Sequence, residues 1–329
     1  MRFVVYGAGA IGGVLGGRLH EAGHEVVLIA RGAHLAAIQA HGLRVESRLG
    51  EVTVPAAAVG DPSEIEFRAD DVVFLCMKGQ HTEDAVRTLA AHAPPSIGVV
   101  SVQNGVANEP TALRYLAGVY GMCVMCPAVH LQPGVVEASS APVSGILDIG
   151  CFPHGVDERA KEVSEAVAGA TFHSVPRTDI MRWKYGKLMN NLSNAVDALC
   201  GPAMRGGELD HDARAEARAC FAAANIAFVD RDEDRARRGD VIRWEPGGGK
   251  SRPGASSWQS LARGTGSIEA DYLNGEIVLL GREYGIPTPA NEVLQREANR
   301  HAREKLPPGS MSAAELAALI DERSAAVSR

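Results

Sequence analysis

Six residues near the start of the chain, Gly7-Ala8-Gly9-Ala10-Ile11-Gly12, restrict what it can fold into. They follow an apolar run, Phe3-Val4-Val5-Tyr6, and open a segment carrying Val14, Leu15 and Leu19. The pattern reads as strand, tight turn and helix. Such a turn needs glycine three times. Gly7 makes the bend, Gly9 lets the backbone approach a pyrophosphate, and Gly12 lets the helix pack close to the strand. The N–H groups at the helix start then face the anion. A second apolar run over 25–29 closes a strand–helix–strand unit within roughly 30 residues, the context that gives the glycines meaning.

The same alternation continues. Residues 2–6, 25–30, 71–77, 97–102 and 121–129 read as strands, and 10–22, 80–91 and 106–117 as helices. This predicts an α/β fold with an N-terminal Rossmann-type doubly wound parallel sheet. Two short β-like runs over 133–150, a helix near 155–169 and a strand around 171–175 extend it. After Pro176 helical patterns dominate, so the expected domains are 1–177, which binds the dinucleotide, and 178–329, which is all-helical. Residues 232–256 read as a polar, Gly/Pro-rich loop beside the second domain's candidate site. At 329 residues the chain has room for two domains.

Composition narrows the class. Apolar residues are 46% and charged residues 22%, which excludes a mainly disordered chain. A net charge of −7 gives no electrostatic footprint for nucleic acid. No apolar run reaches the ~18 residues of a membrane helix, and the N-terminus reads as a strand, not a signal peptide. Six cysteines in a chain this long do not make a disulfide framework, so a reducing cytoplasm is expected. Cys123 and Cys126 have redox spacing, but on a strand they point to opposite faces. No metal site is expected.

The end of the second strand selects the cofactor. It reads Leu28-Ile29-Ala30-Arg31, without the acid that binds a ribose 2′-hydroxyl in NAD enzymes. Arg31 suits a 2′-phosphate, so NADP(H) is inferred. Lys78 and Asn104 follow predicted parallel strands at their carboxyl ends, where ligands bind in such sheets. Lys78 suits cofactor phosphate, and Asn104 the nicotinamide side or the substrate.

The second half holds another cluster. In the predicted helix over 183–194, Lys187, Asn191 and Asn194 sit at i, i+4 and i+7 and so share a face. A lysine flanked by amides suits a polar substrate that needs a proton. Ser256 to Gln259 reads as a capping box, which puts Ser257 at the first helical position, suited to a carboxylate. Gly264 and Gly266 break that helix, and Ser267-Ile268-Glu269 starts another that runs through Gly275. Taken alone, Glu269 reads as a solvated first-turn acid.

These residues together resemble the ketopantoate reductases. The resemblance rests on the 7–12 turn with Arg31, Asn104-Gly105, the helix with Lys187-Leu188 and Asn191, and Ser256-Ser257 with Glu269 and Asp271-Tyr272-Leu273-Asn274-Gly275, and it spans about residues 1–305. It implies NADPH, a site that draws on both domains, and reduction of the 2-oxo group of 2-dehydropantoate. It implies Lys187 as catalytic lysine, with Glu269, Asn191 and Ser257 as site residues. The chain departs in two places: the family's second helix asparagine falls on Ala195, with Asn194 one residue early, and the 232–256 loop is longer than usual for the family. Reduction of another 2-oxo acid, a β-hydroxyacid dehydrogenase and a non-catalytic dinucleotide sensor are the competing readings. A small 2-oxo acid is the expected partner, without nucleic acid or membrane; the assembly, a homodimer or otherwise, stays open.

Overall fold

Short apolar runs and helix-period segments resolve, in a computed structural model, into strands and helices over residues 1–48, 50–244 and 254–327, the residues the structure describes. The strands are β1 (Arg2–Tyr6), β2 (Glu25–Ile29), β3 (Leu43–Ser47), β4 (Gly50–Val54), β5 (Ala57–Val59), β6 (Val72–Leu75), β7 (Gly98–Ser101), β8 (Gly118–Met125), β9 (Ala128–Gln132), β10 (Val135–Ala138), β11 (Ser140–Pro142), β12 (Gly145–Cys151), β13 (Phe172–His173) and β14 (Ile242–Trp244). The first helices are α1 (Ala10–Glu21), α2 (Gly32–His41), α3 (Thr82–His92), α4 (Asn108–Leu113), α5 (Glu158–Gly169), α6 (Ile180–Asn191) and α7 (Ser193–Cys200). Then come α8 (Glu208–Ala223), α9 (Arg231–Arg238), α10 (Ser256–Ala262), α11 (Asn274–Tyr284), α12 (Pro289–Arg303) and α13 (Ala313–Val327). Two compact units result: Met1–Lys184 with Asp230–Ser251, and Tyr185–Val229 with Arg252–Arg329.

The first unit is built on an eight-stranded sheet of order β13-β12-β8-β7-β6-β1-β2-β5. β5, β2, β1, β6, β7 and β8 run parallel, and β12 is antiparallel to β8. The order runs outward from β1 one way and from β6 the other, so the direction of winding reverses between them. β1, β6 and β7 are buried throughout, which is why they read as unbroken apolar runs. Successive residues serve opposite faces: Phe3 and Val5 join one core with Leu15, while Val4 and Tyr6 join another with Leu89.

A second sheet, β4-β3-β10-β9, packs on α1. The expected strand over 121–129 is two strands, β8 and β9, interrupted at Cys126 and Pro127, and proline cannot donate to the ladder. The helix expected over 106–117 shortens to α4. Residues 232–256 are not one loop. Asp230 caps α9 by accepting from the N–H groups of Asp232 and Glu233, acids fill the first turn and arginines the last. β14 pairs antiparallel with β11. Residues 245–253, which include the glycine run, lie outside the described residues.

Ion pairs hold this returning segment. Asp148, fully buried, takes Arg237 at 2.5 Å and Arg177 at 3.1 Å, and Arg182 pairs with Glu233. The second unit's described residues form helices joined by turns and irregular segments, with no strand among them. No helix among the described residues is long and apolar enough to cross a membrane, and none of their His, Cys, Asp and Glu side chains cluster to hold a metal ion.

Two outcomes follow. Asp148→Asn leaves two guanidinium groups facing a neutral amide in a buried place and should cost about 3 kcal/mol in urea unfolding at pH 7. An unchanged midpoint would show that the cluster adds nothing. Glu276, in the first turn of α11, is pushed up to about 7 by burial and by the charge of Glu283. A raised carboxylate favours the protonated form in the folded state, so stability falls as pH rises from the ordinary 4.5 toward 7. Glu276→Gln should therefore raise Tm at pH 8 and leave it unchanged at pH 4, read by thermal scans; a constant difference across that range would contradict the assignment.

Candidate active site

The glycine turn sits where the sheet reverses. Gly7 bends at φ +102°, and the N–H groups of Gly7 and Ala8 donate to the Ile29 carbonyl at 3.1 and 3.0 Å. A Cβ on Gly7 would stand 3.0 Å from the Met77 nitrogen, beyond β6, and one on Gly12 would collide with the Gly7 carbonyl. Gly9 is different: the nearest atom to its Cβ position is His130 Nδ1 at 3.9 Å. Gly7 and Gly12 are thus glycine for packing, and Gly9 for open space. Gly9, the N-cap of α1, makes no side-chain cap hydrogen bond to the N–H groups that begin the helix. Space and donors together fit a pyrophosphate.

Cationic groups lie at the neighbouring strand ends. Arg31, exposed, stands two residues past β2 at the start of α2. Lys78, half-buried, heads a 3₁₀ turn at Gly79–His81 beyond β6. Burial lowers the pKa of His81, and the positive charges of Arg31 and Lys78 lower it further. Asn104, half-buried past β7, precedes Gly105 at φ +77°, and its carbonyl accepts from Asn108 Nδ2 at 2.9 Å.

His34 ties this turn down. Its Nδ1 accepts from the Gly134 N–H at 2.9 Å, so Nε2 carries the proton and donates to the Ala8 carbonyl at 2.7 Å. Burial lowers its pKa, in keeping with a neutral ring. The ring of His130, on β9, lies 4.1 Å away. Sequence reasoning missed both histidines; Arg31-Gly32-Ala33-His34 has no motif to announce them.

In the second unit the expected single helix over 183–194 is two, α6 and α7, joined at Leu192. Leu192 keeps right-handed helical angles, φ −58° and ψ −31°, so the turn of the chain carries on. Its carbonyl accepts from Asn274 Nδ2 at 3.3 Å. Lys187 is half-buried on α6, Asn191 ends that helix, and Asn194 lies on α7. Asn191 is 5% exposed, and its Nδ2 has no hydrogen-bond partner among the described residues. Asn194 Oδ1 accepts from Arg205 at 3.5 Å.

The capping box at Ser256 does not form. Ala255 is the N-cap and Ser256 already helical, so Ser257 is the second helical residue, 3% exposed. What fixes this helix start is Asp197 on α7, whose Oδ2 accepts from the Ala255 N–H at 2.5 Å. α10 packs on α7, which carries Ser257 toward Asn194's helix. Glu269 does not begin an α-helix either. It precedes a 3₁₀ turn at Ala270–Tyr272, and α11 starts at Asn274. Nor is it a solvated acid, being 5% exposed. Asn274 therefore ties the strand of chain that follows Glu269 to the Leu192 joint, next to Asn191.

Comparison with known proteins gives the context. Residues 3–154 match the family Ketopantoate reductase PanE/ApbA, and residues 179–302 match Ketopantoate reductase PanE/ApbA C terminal. A 2-dehydropantoate 2-reductase of Mesorhizobium japonicum is 30% identical over 93% of this chain and 99% of its own length. One from Pyrococcus horikoshii is 32% identical, over 60% of this chain and only 64% of that protein. The crystal structure of a PanE/ApbA family ketopantoate reductase from Ralstonia eutropha superposes with a TM-score of 0.77 at 31% identity, covering 93% of this chain and 99% of that one. A D-mandelate dehydrogenase solved with NADH and anilino(oxo)acetate shares the fold, with a TM-score of 0.78 at 22% identity over 93% of this chain and 99% of that one. With both halves matched, this chain belongs to the ketopantoate reductase family.

Proposed function

We propose that this chain catalyses the NADPH-dependent reduction of the 2-oxo group of 2-dehydropantoate to pantoate, which feeds pantothenate biosynthesis. The observation that carries the reading is Asn191: a buried carboxamide nitrogen without a partner, four residues after a half-buried lysine. An unpaired buried donor is costly unless a ligand satisfies it. The names of the relatives supply the substrate. The six cysteines are all free, which suits the cytoplasm.

The turn Gly7 to Gly12 would hold the pyrophosphate, with Arg31 and Lys78 on the adenosine-side phosphate and Asn104 on the nicotinamide side. NADPH, when bound, supplies the hydride that converts the carbonyl to an alcohol. Lys187 donates a hydrogen bond to the carbonyl oxygen and then its proton to the developing alkoxide. Glu269 keeps Lys187 in the charged, donating form and accepts from a substrate hydroxyl. Ser257 donates to the substrate carboxylate. Asn191, Asn194 and Asn104 orient the remaining polar groups, so that the carbonyl meets Lys187 in one geometry.

A different 2-oxo acid is the second reading. Ala195 replaces the family's second asparagine, and Asn194 is already engaged by Arg205, so the pocket's polar surface differs where a substrate hydroxyl would bind. An NADPH-oxidation assay over a panel of 2-oxo acids decides between them; preference for a compound other than 2-dehydropantoate selects the second.

Lys187→Ala should lower kcat by about a hundredfold or more while leaving NADPH affinity near its original value. A rate within about tenfold of the parent would remove Lys187 from the general-acid role. Arg31→Asp should abolish the preference for NADPH over NADH in kcat/KM, since a carboxylate repels a 2′-phosphate and accepts from a 2′-hydroxyl. An unchanged ratio would move the 2′-phosphate contact elsewhere.

A further inference from the structure

The loop after β7 carries Asn104, and a chain of buried polar groups outside the proposed mechanism holds it. Lys184 and Glu109 are 3% and 0% exposed and pair at 2.5 Å. The same ammonium donates to the Gln103 carbonyl at 2.9 Å and to that of Met122 at 3.4 Å. Gln103 Nε2 donates to the Met77 carbonyl at 2.9 Å and to the Thr82 hydroxyl at 2.8 Å. Thr82 donates to Asn108 Oδ1 at 2.8 Å, and Asn108 Nδ2 donates to the Asn104 carbonyl at 2.9 Å. One network thus reaches the backbone beside Lys78 and the backbone of Asn104.

Stability does not account for the pair. A buried ion pair recovers roughly its own desolvation, and apolar side chains of equal volume often do better. Apart from the ion pair itself, neither carboxylate oxygen of Glu109 has a hydrogen-bond partner among the described residues, an added cost. The pair packs against β8: a Cβ on Gly121 would lie 3.3 Å from Ile180 Cγ2 and 3.4 Å from both Glu109 Oε1 and Lys184 Cδ. What the pair does supply is direction, a charged donor fixed in a dry place on the Gln103 carbonyl and, at longer range, that of Met122. The geometry points to Lys184 and Glu109 as a positioning pair that sets the Gln103–Asn104 backbone, and through it the Asn104 carboxamide, for the nicotinamide and the 2-oxo acid. This rests on the proposed reading of Asn104 as a site residue.

The test is the double variant Lys184→Met with Glu109→Leu, which replaces the pair by apolar groups of similar volume. Tm should stay near the parent value. Nevertheless kcat for the preferred 2-oxo acid should fall about tenfold, and the backbone amides of residues 104–107 should exchange with solvent about tenfold faster, because orientation is lost without loss of fold. Unchanged kcat and exchange at unchanged Tm would overturn the proposal. Asn104→Ala is measured alongside. If its rate falls while the double variant's does not, the positioning role alone is wrong; if its rate stays at the parent value, the site reading fails and the proposal with it. Should the double variant not fold, the near-isosteric Glu109→Gln carries the same readouts. A severalfold fall in kcat is then expected, and an unchanged kcat overturns the proposal.

Discussion

Helix α1 lies against the sheet at a distance that side chains on its inner face would forbid: a Cβ on Gly16 would stand 2.7 Å from Leu28, and one on Gly12 would strike the Gly7 carbonyl. That close approach determines much of the first unit. It brings the start of the helix down onto the carboxyl end of β1, where β6 departs in the opposite direction of winding. The helix dipole and the uncapped N–H groups therefore end at the reversal of the sheet. The outer side of the same helix is also glycine-lined, and Val136 and Val45 of the second sheet fill the room. Narrow packing on both sides makes the turn rigid, and a rigid turn is what a phosphate cradle needs.

In the second unit, buried side chains fasten the ends of helices. Asp197 receives the N–H at the start of α10. Glu216 receives the N–H groups of Ala290 and Asn291 at the start of α12, and burial raises its pKa even though those bonds favour its charged form. Asn274 donates to the carbonyl at the α6–α7 joint. Elements that carry Asn191, Asn194, Ser257 and the approach to Glu269 are thus pinned by side chains placed outside the proposed chemistry. Asn191 Nδ2 is left out of this accounting.

Much of the fold was legible because the physics was local. β1, α1 and β2 were visible in apolar runs and glycine spacing, and the structure ends them within a residue of the expectation. Residues 31–64 were opaque. β3 and β4 carry charged residues such as Arg44, Glu46 and Glu51 on a sheet with exposed positions, so their period is weak. α9 was hidden because its order is electrostatic: it is made of acids, arginines and one alanine. Burial of Glu269 and Ser257 was out of reach, since it depends on helices distant in sequence. For the same reason the Lys184–Glu109 contact had no local signal, although Asn108-Glu109 stands shortly after the Asn104-Gly105 turn.

The chain crosses from one unit to the other after Lys184, comes back at Asp230 and leaves again after Ser251. Emerging from a ribosome, the N-terminal unit therefore cannot finish in sequence order. Its buried Asp148 has to wait for Arg237, while β11 waits for β14. By then α7 and α8 have already been made, without the α10–α12 segment they pack against. Each unit is a guest inside the other's gene. Cutting the chain at any single point between Lys184 and Ser251 would leave one of them with an unpaired strand edge or an uncovered helix. The two units share one fate in synthesis even though each has its own core.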